Sequence, residues 1–453
     1  MDAANEILYG YVGSLCEDLR NEYLIGPEFY ANQNIKRGLR NADGTGVMAG
    51  VTRIGSVQGY YIEDGERLPM AGHLYYRGYD LLEIVEAHAS EQTFGFEEVA
   101  YLLLMGKLPS AEQFDRFDTI LSSARILPPD FTEDIILKAP SPNIMNQLAR
   151  SVLALYSYDP TPDDMSIENL VRQSIELIGR FPVIAANAYA AKRHYYNGKS
   201  LYIHIPREHL STSENFLRMI RKDKKYTREE ALLLDMMLTL HAEHGGGNNS
   251  AFSCRVLSST GTDSYSAIAA AVGSLKGPLH GGANAKVMDM FSDIKAHVGD
   301  IHDDDEITAY LNKILDGECG DGSGKLYGLG HAVYTVSDPR AVLIKKHAGD
   351  LAEIKGRSDE FTLLQNIERL GTDLVMKRKD LTLPVCANVD LYSGFVYSML
   401  GIPEELYTPL FASARIAGWC AHRIEEIVSG GRIIRPAYRA AIKGTPYVPM
   451  SQR

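Results

Sequence analysis

The sequence predicts a mainly α-helical protein carrying one small β-hairpin, and three observations predict it. From about residue 80 onward, apolar residues recur with helical periodicity between helix start and stop signals. A single stretch, TRIGSVQGYYIEDGERLPMAGHLYYRGYDL (52–81), gathers β-branched and aromatic residues between Gly and Pro punctuation, as strands and tight turns do. No fixed-period repeat is visible along the chain.

Each element follows from local chemistry. Residues 1–50 read as a helix followed by a polar, glycine-bearing arm, NIKRGLRNADGTG (34–46). The hairpin comes next. FEEVAYLLLMG (96–106) is an apolar helix closed by a glycine stop, and TREEALLLDMMLTLHAEH (227–244) opens on a threonine cap with early glutamates. The charge runs RKDKK (221–225) and HDDDE (302–306) read as solvated turns or caps. ILDGECGDGSGKLYGLG (314–330) is glycine-dense and reads as a mobile loop or hinge. Its GSGK is not a phosphate-binding loop. The first glycine of that motif would fall at Cys319, and Leu326 follows Lys325 where Ser or Thr is required.

Bulk properties narrow the function. With 453 residues the chain exceeds one compact core, and its net charge of -12 argues against nucleic-acid or membrane-surface partners. An anionic ligand must then be met by local positive charge. Cys16, Cys254, Cys319, Cys386 and Cys420 are odd in number, dispersed and free of CxxC pairs, so they read as reduced thiols of a cytoplasmic protein. The N-terminus MDAANEILYG lacks a basic region followed by an apolar core, and the longest apolar run, AIAAAVGSL (267–275), is too short to span a bilayer.

Four segments place unusual polar residues in small or apolar surroundings: HAEHGGGNNS (241–250), GPLHGGAN (277–284), GLGHAVYTVSDPRA (328–341) and NVDLYSG (388–394). His241 and His244 share a helical face, which allows a metal reading, although no matching ligand pair or HExxH follows. His280 and His331 each follow a glycine-containing turn and are expected to lead into a helix, whose N-terminus keeps an imidazole neutral and able to donate to an oxygen that gains charge. Together with Asp390 they could remove a proton and stabilise the oxyanion formed, while for Asp390 alone the competing role is helix N-capping. Arg340, Arg415 and Arg435 would suit a substrate with more than one carboxylate; for Arg415 the alternative is an internal salt bridge to Glu425 or Glu426.

The order and spacing of LYYRGYDL, FEEVAYLLLMGKLP, HAEHGGGN, GPLHGGAN, GLGHAVYTVSDPRA, ANVDLYSG and ARIAGWCAHRIEE resemble the citrate synthase family from about residue 35 to the end. The resemblance implies an all-α, two-domain fold, with a large helical domain of 1–282 and 402–453, an inserted small helical domain of 283–401, and a homodimer with shared active sites. It implies condensation of acetyl-CoA with oxaloacetate and hydrolysis of citryl-CoA, with acetyl-CoA as co-substrate and neither a permanently bound cofactor nor a metal. Carried over by position, His280 holds the thioester oxygen, Asp390 removes the methyl proton and His331 polarises the ketone. His244, Arg340, Arg415 and Arg435 bind the oxaloacetate carboxylates, Arg435 from the partner subunit. The glycines around His280 are expected to let the thioester pack against bare backbone. Thr335 stands where many relatives carry a basic residue, so a CoA phosphate contact is expected elsewhere, with Lys325 the candidate. The N-terminal arm does not resemble the β-rich domain of NADH-inhibited bacterial enzymes. Open alternatives are a 2-methylcitrate synthase using propionyl-CoA, a non-catalytic helical dimer binding CoA or a dicarboxylate, and a metal-dependent hydrolase built on HAEH.

Overall fold

The computed structural model describes residues 12, 16, 23–31, 35–41 and 44–453, so the helix expected at the start of the chain falls largely outside the described residues. The chain divides into two units. The smaller takes in residues 1–48 and 435–453. Its described parts are a helical turn (Glu28–Ala31), a 3-10 turn (Arg37–Leu39), a bridge between Arg40 and Gly46, and an irregular tail ending in a turn at Met450–Gln452. The larger unit, residues 49–434, holds the sheet and the long helices.

Strands β1 (Gly55–Glu63) and β2 (Glu66–Tyr76) form the expected hairpin, and a short β3 (Tyr79–Asp80) pairs back onto β2. The hairpin turns at Asp64-Gly65 with φ of 50° and 82°, the two positive values a tight two-residue turn requires. Asp80 then caps α1 (Leu81–Glu91), and Gly106 in the left-handed conformation stops α2 (Phe96–Met105) where its sequence predicted. Helices α3 (Ala111–Ala124), α4 (Ile144–Leu155), α5 (Ile167–Tyr195) and α6 (Thr212–Ile220) follow. α7 (Arg228–His241) begins with a capping box in which Thr227 and Glu230 satisfy each other's backbone N–H. α8 (Asn249–Ser258) and α9 (Ser264–Lys276) complete this run.

Five further helices, α10 (Ala283–His297), α11 (Asp304–Leu315), α12 (Pro339–Ile354), α13 (Ser358–Lys379) and α14 (Val389–Met399), pack chiefly on one another. The last helix, α15 (Tyr407–Val428), returns to the core and touches α2, α5, α7, α8 and α9. Small side chains and the fully buried Trp419 line its length, which lets so many helices approach it. Among the described residues no helix is long and apolar enough to cross a membrane.

One contact between sheet and loop matters for the site. The irregular segment 331–338 lies on the hairpin, where Gly72 N–H donates to Ser337 Oγ (3.2 Å) and Arg67 Nη2 donates to Val333 O (3.3 Å). A Cβ on Gly72 would stand 2.1 Å from the Ser337 carbonyl oxygen, so only glycine permits this approach.

Candidate active site

His244, His280, His331, Arg340, Asp390 and Arg415 all line one cavity of about 170 Å³. Lys325 and Arg435 are not among the residues that line it. Lys325 lines a separate cavity with Lys286 and Asp321, and Arg435 is an exposed residue of the C-terminal segment in the smaller unit.

Separate elements deliver these side chains. The phenol oxygen of Tyr76, at the end of β2, lies 3.0–3.2 Å from the carbonyls of Thr239, Leu240 and Glu243, which fixes the end of α7 and the HAEH segment beyond it. His244 follows, with Nε2 3.3 Å from the Tyr334 hydroxyl and its ring edge-on to His331 at 5.2 Å. His280 sits in a single helical turn (Pro278–Gly281), its Nε2 3.2 Å from Ser250 Oγ. That oxygen is also 3.2 Å from Trp419 Nε1, which can only donate, and 2.8 Å from Asn248 Oδ1. Ser250 therefore accepts from Trp419 and donates its one proton to Asn248 Oδ1.

His331 does not open a helix as expected, because residues 331–338 are irregular and α12 starts only at Pro339. The backbone supplies the same electrostatics directly: the N–H groups of Val333 and Tyr334 both donate to His331 Nδ1 at 3.1 Å. A nitrogen that accepts twice carries no proton, so the imidazole bears its proton on Nε2. Asp390 is brought beside this loop by backbone pairing, Gly330 N–H to Cys386 O and Asn388 N–H to Gly328 O, each 2.8 Å. The N-cap of α14 is Asn388, whose Oδ1 accepts from the Asp390 N–H (3.0 Å). Capping thus falls to Asn388 and leaves the Asp390 carboxyl facing the cavity.

The charges of the cavity differ in how far they are spent. Asp338 clamps Arg340 through Nε (3.0 Å) and Nη2 (2.7 Å), and also accepts from the Val389 N–H at the start of α14 (3.2 Å). Arg415 is 1% exposed; its Nε donates to His241 O (2.5 Å), yet both Nη atoms are buried without a hydrogen-bond partner among the described residues. The salt bridge allowed to Arg415 is not formed, since Glu425 and Glu426 both pair with Arg255 at 2.8 Å. Burial lowers the Arg415 guanidinium to about 10, which still leaves it cationic at neutral pH. Burial raises the Asp390 carboxyl to about 6, against the opposing pull of Arg340. Burial and the Arg415 charge push His280 down to about 4, and burial with Arg340 holds His244 well below its ordinary range, so both rings are neutral.

Several features escaped the sequence. Asp338 carried only the signal of an N-cap before proline in SDPR, and nothing local announced its clamp on Arg340. Ser250, Trp419 and Tyr334 are ordinary residues until the fold gathers them. The glycines after His280 do not leave bare backbone for a ligand: a Cβ on Gly281 would stand 2.0 Å from Leu275 O, so that space belongs to the protein's own chain. Thr335 is buried, and its hydroxyl donates to hairpin carbonyls, 3.3 Å from Met70 O, so the position faces the sheet. Of the HAEH histidines, His241 lies 4.5 Å from the Phe411 ring whereas His244 faces His331, so their surroundings differ.

Known proteins match this arrangement. Residues 42–437 match the family described as citrate synthase, C-terminal domain. The citrate synthase of Deinococcus radiodurans is 36% identical over 359 residues, covering 79% of this chain and 88% of the relative. The citrate/2-methylcitrate synthase of Bacillus subtilis is 34% identical over 372 residues, covering 82% and 90%. The fold is similar to that of citrate synthase from the thermophilic archaeon Thermoplasma acidophilum, solved as a ternary complex with carboxymethyl coenzyme A and oxaloacetate. The TM-score is 0.74 at 27% identity, over 93% of this chain and 100% of that one. The chain belongs to the citrate synthase family and is an enzyme of the acyltransferase kind.

Proposed function

We propose that this cavity condenses acetyl-CoA with oxaloacetate and hydrolyses the resulting citryl-CoA to citrate and CoA. The observation that carries the reading is Arg415, a buried guanidinium with two unspent Nη groups in a cavity that also holds a base and neutral donors. An oxaloacetate carboxylate supplies the missing acceptors, with His244 and the free edge of Arg340 completing its cradle. The Asp390 carboxylate takes a methyl proton from acetyl-CoA. His280, held as a neutral imidazole, presents a ring N–H to the thioester oxygen and holds the enolate. The enolate carbon attacks the ketone of oxaloacetate, and the Nε2 proton of His331 passes to the new alkoxide. Water then cleaves the thioester, releasing the CoA thiol. No bound cofactor or metal enters these steps.

His331, Arg340 and Asp390 come from residues 283–401, and His244, His280 and Arg415 from the remainder, which supports a small domain that closes over oxaloacetate, with the glycine-rich 317–330 ordering as it does so. The family reading adds a cytoplasmic homodimer in which Arg435 completes the partner's site, and Lys325 as a CoA phosphate contact. The test is thiol release from acetyl-CoA and, in parallel, from propionyl-CoA, each with oxaloacetate. Faster turnover of acetyl-CoA supports the reading. Preference for propionyl-CoA moves it to 2-methylcitrate synthase, the second activity in the name of the Bacillus relative, and no release from either leaves the non-catalytic binder.

A further inference from the structure

A second cavity, of about 200 Å³, lies between α1, α7 and α12. Its walls are apolar: Val85, Leu233, Met236, Leu351 and Ile354. Asp235 and Thr239 also line it, one helical turn apart on α7 and therefore on one face. They are 3% and 2% exposed. Asp235 Oδ2 accepts the N–H groups of Gly95 (2.6 Å) and Phe96 (3.2 Å) at the start of α2. Its Oδ1 and the Thr239 Oγ1 have no hydrogen-bond partner among the described residues. Buried polar atoms in that state cost stability, and two of them in one apolar cavity indicate a ligand's polar end.

The sign of that end follows from the lining. Among the described residues no lysine or arginine lines the cavity, whereas Glu229 and Asp350 do. The two histidines of the lining are engaged elsewhere, His88 with Glu98 (2.8 Å) and His347 with Glu86 (3.2 Å). Burial, with Glu97 and Glu214 adding repulsion, raises the Asp235 carboxyl well above its ordinary range, so the cavity without a cation favours its neutral form and a bound ammonium is what would offset the cost of its charge. The catalytic cavity is the reverse case, with two arginines for an anion.

We propose that the cavity between α1, α7 and α12 is a second ligand site, which takes a primary ammonium on a short apolar body, the ammonium donating to Asp235 Oδ1 and Thr239 Oγ1. The proposal needs nothing from the reaction assigned above. Both bounding helices continue to the catalytic cavity, α7 toward His244 and α12 from Arg340, so an occupant touches elements that carry substrate-binding groups.

Calorimetric titration of the full chain with benzylamine tests it, with benzyl alcohol as the neutral counterpart. The expected result is saturable binding of the amine, at a dissociation constant of about a millimolar or below. Binding of the alcohol should be at least about tenfold weaker, and Asp235→Asn should cost the amine about tenfold. Because Asp235 also caps α2, a second variant, Ala89→Leu, fills the cavity from α1 without removing a polar group, and it should abolish binding. Absence of saturable amine binding would mean that the two polar atoms meet only water, which overturns the proposal. Equal binding to Ala89→Leu and the parent would place the amine on the acidic surface and overturn it too. Alcohol bound as tightly as amine would refute the ammonium assignment.

Discussion

Arg415 and Arg423 stand on the same helix, α15, 1% and 2% exposed, and their surroundings are opposite. Around Arg423 every nitrogen is used: Nε donates to Ser264 Oγ (2.8 Å), Nη1 to Ser258 Oγ (3.2 Å) and Nη2 to Thr262 O (2.6 Å). Around Arg415 only Nε is used among the described residues. Burial depresses both guanidinium groups without discharging them at neutral pH. The lesson is that a buried arginine does not mark a site. Unspent donors facing a cavity do, because a protein that needed the residue only for stability would have satisfied them.

The catalytic end of this comparison predicts the largest effect. Asp390→Asn keeps the shape and removes the base, so turnover should fall by about a thousandfold or more with oxaloacetate affinity within a few-fold; near-normal turnover would sink the assignment. In the parent, kcat/KM should fall as pH drops through about 6, since only the ionised carboxyl takes a proton. Stability runs the other way. A carboxyl raised in the folded state contributes most below the ordinary carboxylate range and loses that contribution as pH rises through about 6. Asp390→Asn should accordingly gain thermal midpoint over the parent at pH 7 but not at pH 4, which melting curves at both pH values would check.

His280→Ala comes next, with kcat lowered by about a hundredfold. A change confined to KM would make His280 a binding residue only. The arginine pair follows. Arg415→Met should raise the oxaloacetate KM by about tenfold or more and leave the thermal midpoint unchanged or higher, because unpaired buried donors are removed. Arg423→Met should do the converse, costing about 1–3 kcal/mol of stability with KM unaltered. If the two variants behave alike in kinetics and melting, the contrast between spent and unspent donors is wrong. The smallest effect is expected at Gly72→Ala, whose methyl group must push the Ser337 carbonyl and the loop of His331 away from the hairpin. A loss of about 1–3 kcal/mol with a few-fold rise in KM should result, measured on the same preparations.

Much of this molecule was legible in its sequence. The hairpin within residues 52–81, the Thr227 cap and the Gly106 stop are where local chemistry placed them. Six of the motif residues converge on one cavity. The misses share a cause. Asn388 takes the cap that Asp390 could have taken, and Asp338 divides its carboxylate between Arg340 and the Val389 N–H, 51 residues away. Thr335 looked like a lost phosphate contact and proves to be a hairpin contact, donating across 265 residues to Met70. Spacing reports none of these competitions, because each is settled by which group the fold brings within hydrogen-bond reach, two residues away for Asn388 and 51 or 265 residues away for Val389 and Met70.

By itself the sequence determined the place of the hairpin, the start of α7, the stop of α2 and which residue types enter the site, since caps, periodicity and glycine punctuation act over a few residues. Only the tertiary structure decided which charges are spent. Arg415 and Arg423 stand on one helix, and the partners that distinguish them are 174 and 159 residues distant, His241 and Ser264, brought up by the packing of α7 and α9 against α15. A hydrogen bond forms at about 3 Å whatever the chain distance, so whether a buried donor is satisfied or left for a substrate is a property of the fold.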